Sequence, residues 1–203
     1  MNRRVAGKRM IVAAVAVATL VSAIAVMYYL SFASWQGRIG EELARFALSG
    51  ARVPVTVNVF GRGTDTVSAR VSFSTADGDL VGTLERSWLG WEIKIDCVLV
   101  KAGSGWIVFP FLAYTDQTIP GAGVDLLRHY ERSGFPAIYE SSRIFPAERK
   151  AMRRLFALVK TEQWVPTALG SLSHRVVTLR TFKAGADYSL WVDADGTLRF
   201  RED

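Results

Sequence analysis

Twenty consecutive residues, Ile11 to Leu30 (IVAAVAVATLVSAIAVMYYL), carry no charge, and they follow a basic leader, MNRRVAGKRM. A hydrocarbon core of roughly 30 Å takes about 20 apolar residues at helical rise. Thr19 and Ser22 are the mild interruptions, and each can bond back to a carbonyl of its own helix. The segment is therefore expected to be a transmembrane helix. Arg3, Arg4, Lys8 and Arg9 precede it, while Arg38, Glu41, Glu42 and Arg45 follow as a mixed set. That asymmetry puts residues 1–10 in the cytoplasm and everything after 30 outside it, with Tyr28, Tyr29 and Trp35 at the outer interface.

A cleaved signal peptide is the alternative, which would make the protein secreted. Ala23-Ile24-Ala25 and Ser31-Phe32-Ala33 have the small residues that such cleavage needs. Cleavage after Ala25 would leave an apolar new terminus, Val26 to Leu30. The later site implies an apolar region longer than the roughly 7–15 residues usual for signals. An uncleaved anchor is the preferred reading, and no cysteine lies near the segment to carry a thioether-linked lipid.

Charge has to be read with the anchor set aside. The chain has 25 Lys and Arg against 19 Asp and Glu, a formal +6. With the four basic residues of the leader removed, 21 face 19, so the remainder stands near +2. That balance does not suggest nucleic-acid binding. Cys97 is the single cysteine, so no intrachain disulfide can form and the fold rests on its apolar core.

Residues 31–50 read as a juxtamembrane amphipathic helix, with Ile39, Leu43 and Phe46 at i, i+4 and i+7 and Gly50 at the C-cap. This stripe packs on its own domain, or on a partner or second copy. An exported domain is expected over 51–203. Val53, Val55, Val57 and Val59 alternate with polar residues, as do Val67, Ala69, Val71 and Phe73, then weakly Leu80 to Glu85, then Trp91, Ile93, Ile95, Cys97 and Leu99. These are half-buried strands, and Cys97 falls on an apolar face as a small hydrophobe. Trp106 to Tyr114 is apolar on both faces, with Pro110 predicting a bulge or an edge.

A helical period returns over Gly123 to Ser133 through Leu126, Leu127 and Tyr130, and again from Pro146 to about Lys160 through Met152, Leu155, Phe156 and Val159. The second helix has a basic face: Arg149, Lys150, Arg153, Arg154 and Lys160, with Arg143 upstream. Such a run is a solvated face or a dock for anionic headgroups or an acidic partner. Arg175 to Lys183 reads as a strand of ambiguous face. Tyr188, Leu190 and Val192 pair with Leu198 and Phe200 across Asp193-Ala194-Asp195-Gly196, a hairpin turn lacking the later ligands of a calcium loop.

The expected architecture is α+β: a mainly antiparallel sheet or sandwich of about seven or eight strands with two packed helices, behind one N-terminal transmembrane helix. A β-sandwich decorated by helices is the alternative. No nucleophile elbow, metal-ligand spacing or phosphate loop occurs, so no cofactor or metal is expected. The chain reads first as a single-pass anchored, extracytoplasmic interaction or assembly module of the cell envelope, with a protein partner or itself. The alternatives are an envelope enzyme built around His129 and His174 with Glu140 and Asp116, and a binder of anionic membrane surfaces through residues 146–160.

Overall fold

The structure is a computed structural model that describes residues 15–24, 26–27, 38, 40–119, 122–162 and 172–203. The chain divides into two compact units, Met1–Arg38 and Ile39–Asp203, each taken by itself here. In the first, residues 15–24 and 26–27 are helical. Among the described residues no helix is long and apolar enough to cross a membrane. The expected span Ile11–Leu30 extends outside the described residues at both ends, as do residues 31–37 and Ile39 of the expected juxtamembrane helix.

The second unit is α+β with antiparallel sheets. One sheet has the order β11-β10-β1-β2-β3, formed by β1 (Ala51–Arg62), β2 (Thr66–Ser74), β3 (Leu80–Leu89), β10 (Asp187–Val192) and β11 (Leu198–Glu202). The other has the order β6-β5-β4-β9, from β4 (Ile93–Ala102), β5 (Gly105–Thr115), β6 (Val124–Asp125) and β9 (Ser173–Leu179). The valines of β1 and the Val67/Ala69/Val71/Phe73 row of β2 are fully or almost fully buried, as their period of two requires. Ile93, Ile95, Cys97 and Leu99 are buried alike on β4. Burial first, and the nearby Asp96 charge second, push the Cys97 thiol well above its usual range.

The long helix α2 (Pro146–Thr161) buries Ala151, Met152, Leu155, Phe156 and Val159. Its first turn has Pro146, and Glu148 accepts the Phe145 N–H at 2.8 Å. Phe156 lies 5.9 Å from the Phe109 ring and 5.9 Å from Tyr130, joining α2 to β5 and to the short helix α1 (Leu127–Tyr130).

Several expectations are corrected. Eleven strands occur among the described residues, more than the seven or eight expected. The helix expected over Gly123 to Ser133 is the single turn α1. Val124 and Asp125 instead pair with Ala113 and Leu112, which spends their backbone groups on a ladder. Beyond α1, Glu131–Arg132 (β7) turns back through Ser133 and Gly134, both at positive φ, onto Phe135–Pro136 (β8). The strand expected to reach Lys183 ends at Leu179, and its buried side is Val177 and Leu179, with Val176 half exposed. The helix expected to end at Gly50 gives way to a 3-10 turn, Ala44–Phe46, and then to an extended pairing of Leu48 with Trp106. Leu43 is fully buried and Phe46 meets the Tyr139 ring edge-on at 6.3 Å, so this segment packs on its own domain.

The outer edge of β5 shows how the irregular segments act. β6 covers it only at Leu112 and Ala113. Leu48 exchanges both backbone bonds with Trp106, at 2.8 and 2.9 Å. The Tyr139 hydroxyl donates to the Val108 carbonyl and accepts the Val108 N–H, both at 2.8 Å. Tyr130 donates to the Pro110 carbonyl at 2.8 Å, and the Leu126 N–H reaches Phe111 at 2.9 Å. A buried strand edge must be satisfied somewhere, and here side-chain hydroxyls replace a missing neighbour. Pro110 has no N–H and so needs no acceptor on that side. The register also slips between Asp96 and Cys97, which leaves Phe111 as the extra residue of β5, so the expected bulge is found beside Pro110.

Candidate functional site

The ladder of β4 with β9 sets His174 opposite Val98, two residues from Asp96 and on the same side of the sheet. His174 Nδ1 lies 3.2 Å from Asp96 Oδ2, and its Nε2 lies 3.5 Å from Glu162 Oε2, the latter an ionic contact rather than a hydrogen bond. Its ring meets Phe111 edge-on at 5.5 Å. The hydrogen bond to Asp96 raises the His174 pKa above its ordinary value, partial burial opposes it, and the charges of Asp96 and Glu162 add to the rise. A histidine held this way favours the imidazolium. That suits an ionic clasp between β4, β9 and the end of α2.

The other three residues of the enzyme reading are placed elsewhere. His129 on α1 stacks over Phe73 at 6.3 Å, and burial first, then Arg128, lower its pKa. Asp116 accepts the backbone N–H groups of Trp91 at 2.8 Å and Glu92 at 3.1 Å, which holds its carboxyl below the usual range. Glu140 is paired with Arg149. The four share no partner, and none lines either of the two cavities described below. Among the described residues, no group of three or more His, Cys, Asp and Glu side chains could hold a metal ion.

The six basic residues around α2 fall into two groups. Arg149 pairs with Glu140 and lies over the Phe135 ring, and Lys160 pairs with Glu131 at 2.7 Å. Lys150, Arg153 and Arg154 are exposed and make no ion pair among the described residues. Arg143 is also exposed, and its carbonyl accepts Arg45 at 2.7 Å. Arg45 in turn pairs with Glu148 at 2.7 Å and lies over the exposed Phe145 ring.

Two cavities are formed by the second unit. One, of about 530 Å³, has Arg45, Arg52, Phe46, Ile138 and Tyr139 among its walls. Both of its arginines are already engaged by carboxylates, Glu148 and Asp203. The other, of about 700 Å³, opens between the end of β3 and residues 122–128, with Arg86, Trp88, Leu89, Val124 and Arg128 in its walls. Sequence reasoning missed this cavity and the His174 clasp alike, because both depend on registers between segments far apart in the chain. Asp96 and His174 are 78 residues apart. Searched against protein-family models, curated proteins and solved structures, the chain finds no match.

Proposed function

We propose that the protein is a single-pass membrane-anchored domain, N-terminus in the cytoplasm, whose extracytoplasmic β-rich part serves as an interaction module of the cell envelope. The observation that carries this is the uncovered helical stretch of the first unit. Val15, Val17, Leu20, Val21, Ile24, Val26 and Met27 are each more than half exposed. At 100° per residue they lie all round the helix, and an all-round apolar helix needs an apolar solvent. The uncharged run from Ile11 to Leu30 and its basic leader support the same reading. Crosslinking in intact cells tests the interaction role: discrete adducts, to another envelope protein or to a second copy, are expected. A chain that remains monomeric and without protein neighbours contradicts it.

A second reading, attachment of the domain to an anionic bilayer surface through α2, is favoured by Lys150, Arg153 and Arg154, which face solvent without carboxylate partners among the described residues. With the full chain in nanodiscs, backbone hydrogen exchange over 146–161 is expected to slow when the lipid is changed from zwitterionic to anionic. Reversing the three charges to Glu should remove that difference, and equal exchange in both lipids rules the reading out.

A further inference from the structure

We propose that the cavity between β3 and residues 122–128 binds a small amphipathic anion, an apolar body bearing one carboxylate or phosphate group. Two cationic side chains line it against one acidic one. Arg86 and Arg128 come from different elements, both are exposed, and neither has a carboxylate partner among the described residues. Trp88, in the same wall, is 7 % exposed, and its buried Nε1–H has no acceptor. The Trp88 Nε1–H is sealed inside the wall, so the two guanidinium groups without a carboxylate partner among the described residues are the donors an anion would meet.

The ladder sharpens the point for Arg86. It pairs with Ala69, and Trp88 pairs with Val67, so both residues of β3 stand on the side of the sheet that carries the core. A core-side charge on an edge strand does discourage strand addition. That role needs only one charge and does not explain why Arg128 approaches the same space. Asp125 is the acidic residue of the wall, and its Oδ1 already accepts the Leu127 N–H at 2.9 Å. Leu89, Ile119 and Val124 supply the apolar surface, and about 700 Å³ lies within the range of small-molecule sites.

The inference rests on the binding role proposed above and names a ligand class for it. The test is calorimetric titration of the full chain in phosphatidylcholine nanodiscs with phenyl phosphate, benzoate, benzyl alcohol and inorganic phosphate, against empty nanodiscs. One of the two aryl anions is expected to bind at least tenfold tighter than benzyl alcohol or inorganic phosphate, and the pair reports which headgroup is preferred. Arg86→Ala with Arg128→Ala should weaken that binding at least tenfold without lowering the melting temperature, because both side chains are exposed. Absence of aryl-anion binding in the millimolar range, equal binding of benzyl alcohol or of inorganic phosphate, or an unaffected double variant overturns the site. Crosslinked neighbours found in cells alongside a failed titration would remove this site and leave the interaction role standing.

Discussion

Tyr139 illustrates how single side chains close this fold. Its hydroxyl satisfies both backbone groups of Val108, and burial pushes its pKa up, so it stays a neutral phenol at any ordinary pH. Tyr139→Phe leaves a buried N–H and C=O without partners, which costs about 1–3 kcal/mol. Chemical denaturation should show that loss, while Tyr130→Phe, which frees only the Pro110 carbonyl, should cost less. An unchanged midpoint for Tyr139→Phe would mean that water reaches the β5 edge. His174 makes a prediction of opposite kind. Its folded pKa is raised above the unfolded value of 6.5, so its contribution is complete below that value and fades as pH rises through the folded pKa. His129 is lowered in the fold and acts with the reverse sign. Wild type must therefore be compared with His174→Gln: the stability gap between them should be widest in mild acid and narrow toward alkaline pH. A gap independent of pH would dissolve the clasp with Asp96 and Glu162.

At the scale of elements, the edge of β3 depends on a glycine. A Cβ on Gly82 would run into the His129 carbonyl oxygen, a backbone atom that cannot turn away. Arg132 reaches the Val81 carbonyl at 3.0 Å on the same edge. Gly82→Ala should push residues 126–132 off β3 at a cost of roughly 1–3 kcal/mol. Faster hydrogen exchange in β3 and α1 would show it, and a neutral substitution would mean that the approach is looser than described. The strands of β1, β2 and β4 were legible in the sequence because one half-buried face imposes a period of two, and Val53 to Val59 or Ile93 to Cys97 display it without interruption. The α2 stripe was legible for the same reason at a period of 3.6. Residues 123–136 were not. Leu126, Leu127 and Tyr130 are buried at helical spacing, yet that spacing spans only one turn, and two short ladders take the backbone on either side. Two-residue strands have too few side chains to print a period. The candidate ligand site was hidden too, because Arg86 and Arg128 meet only through tertiary structure.

For the whole molecule, the charge distribution and the division at Arg38 point the same way. The basic leader accounts for most of the formal charge, and the Ile39–Asp203 unit has its own core of two antiparallel sheets and α2. A domain with its own core can work at the end of a tether, and the proposed anchoring would present its cavities and the exposed face of α2 on the outer side of a bilayer. Topology and anchoring are then a single claim, and one experiment reads both. Spheroplasts carrying the chain with an N-terminal tag are treated with an external protease, and membrane and soluble fractions are blotted for the tag. The tether predicts a short, membrane-bound, tagged fragment ending beyond Leu30, with the Ile39–Asp203 unit accessible from outside. A full-length chain wholly protected from the protease, or a domain released free of the tag before any protease is added, would contradict it.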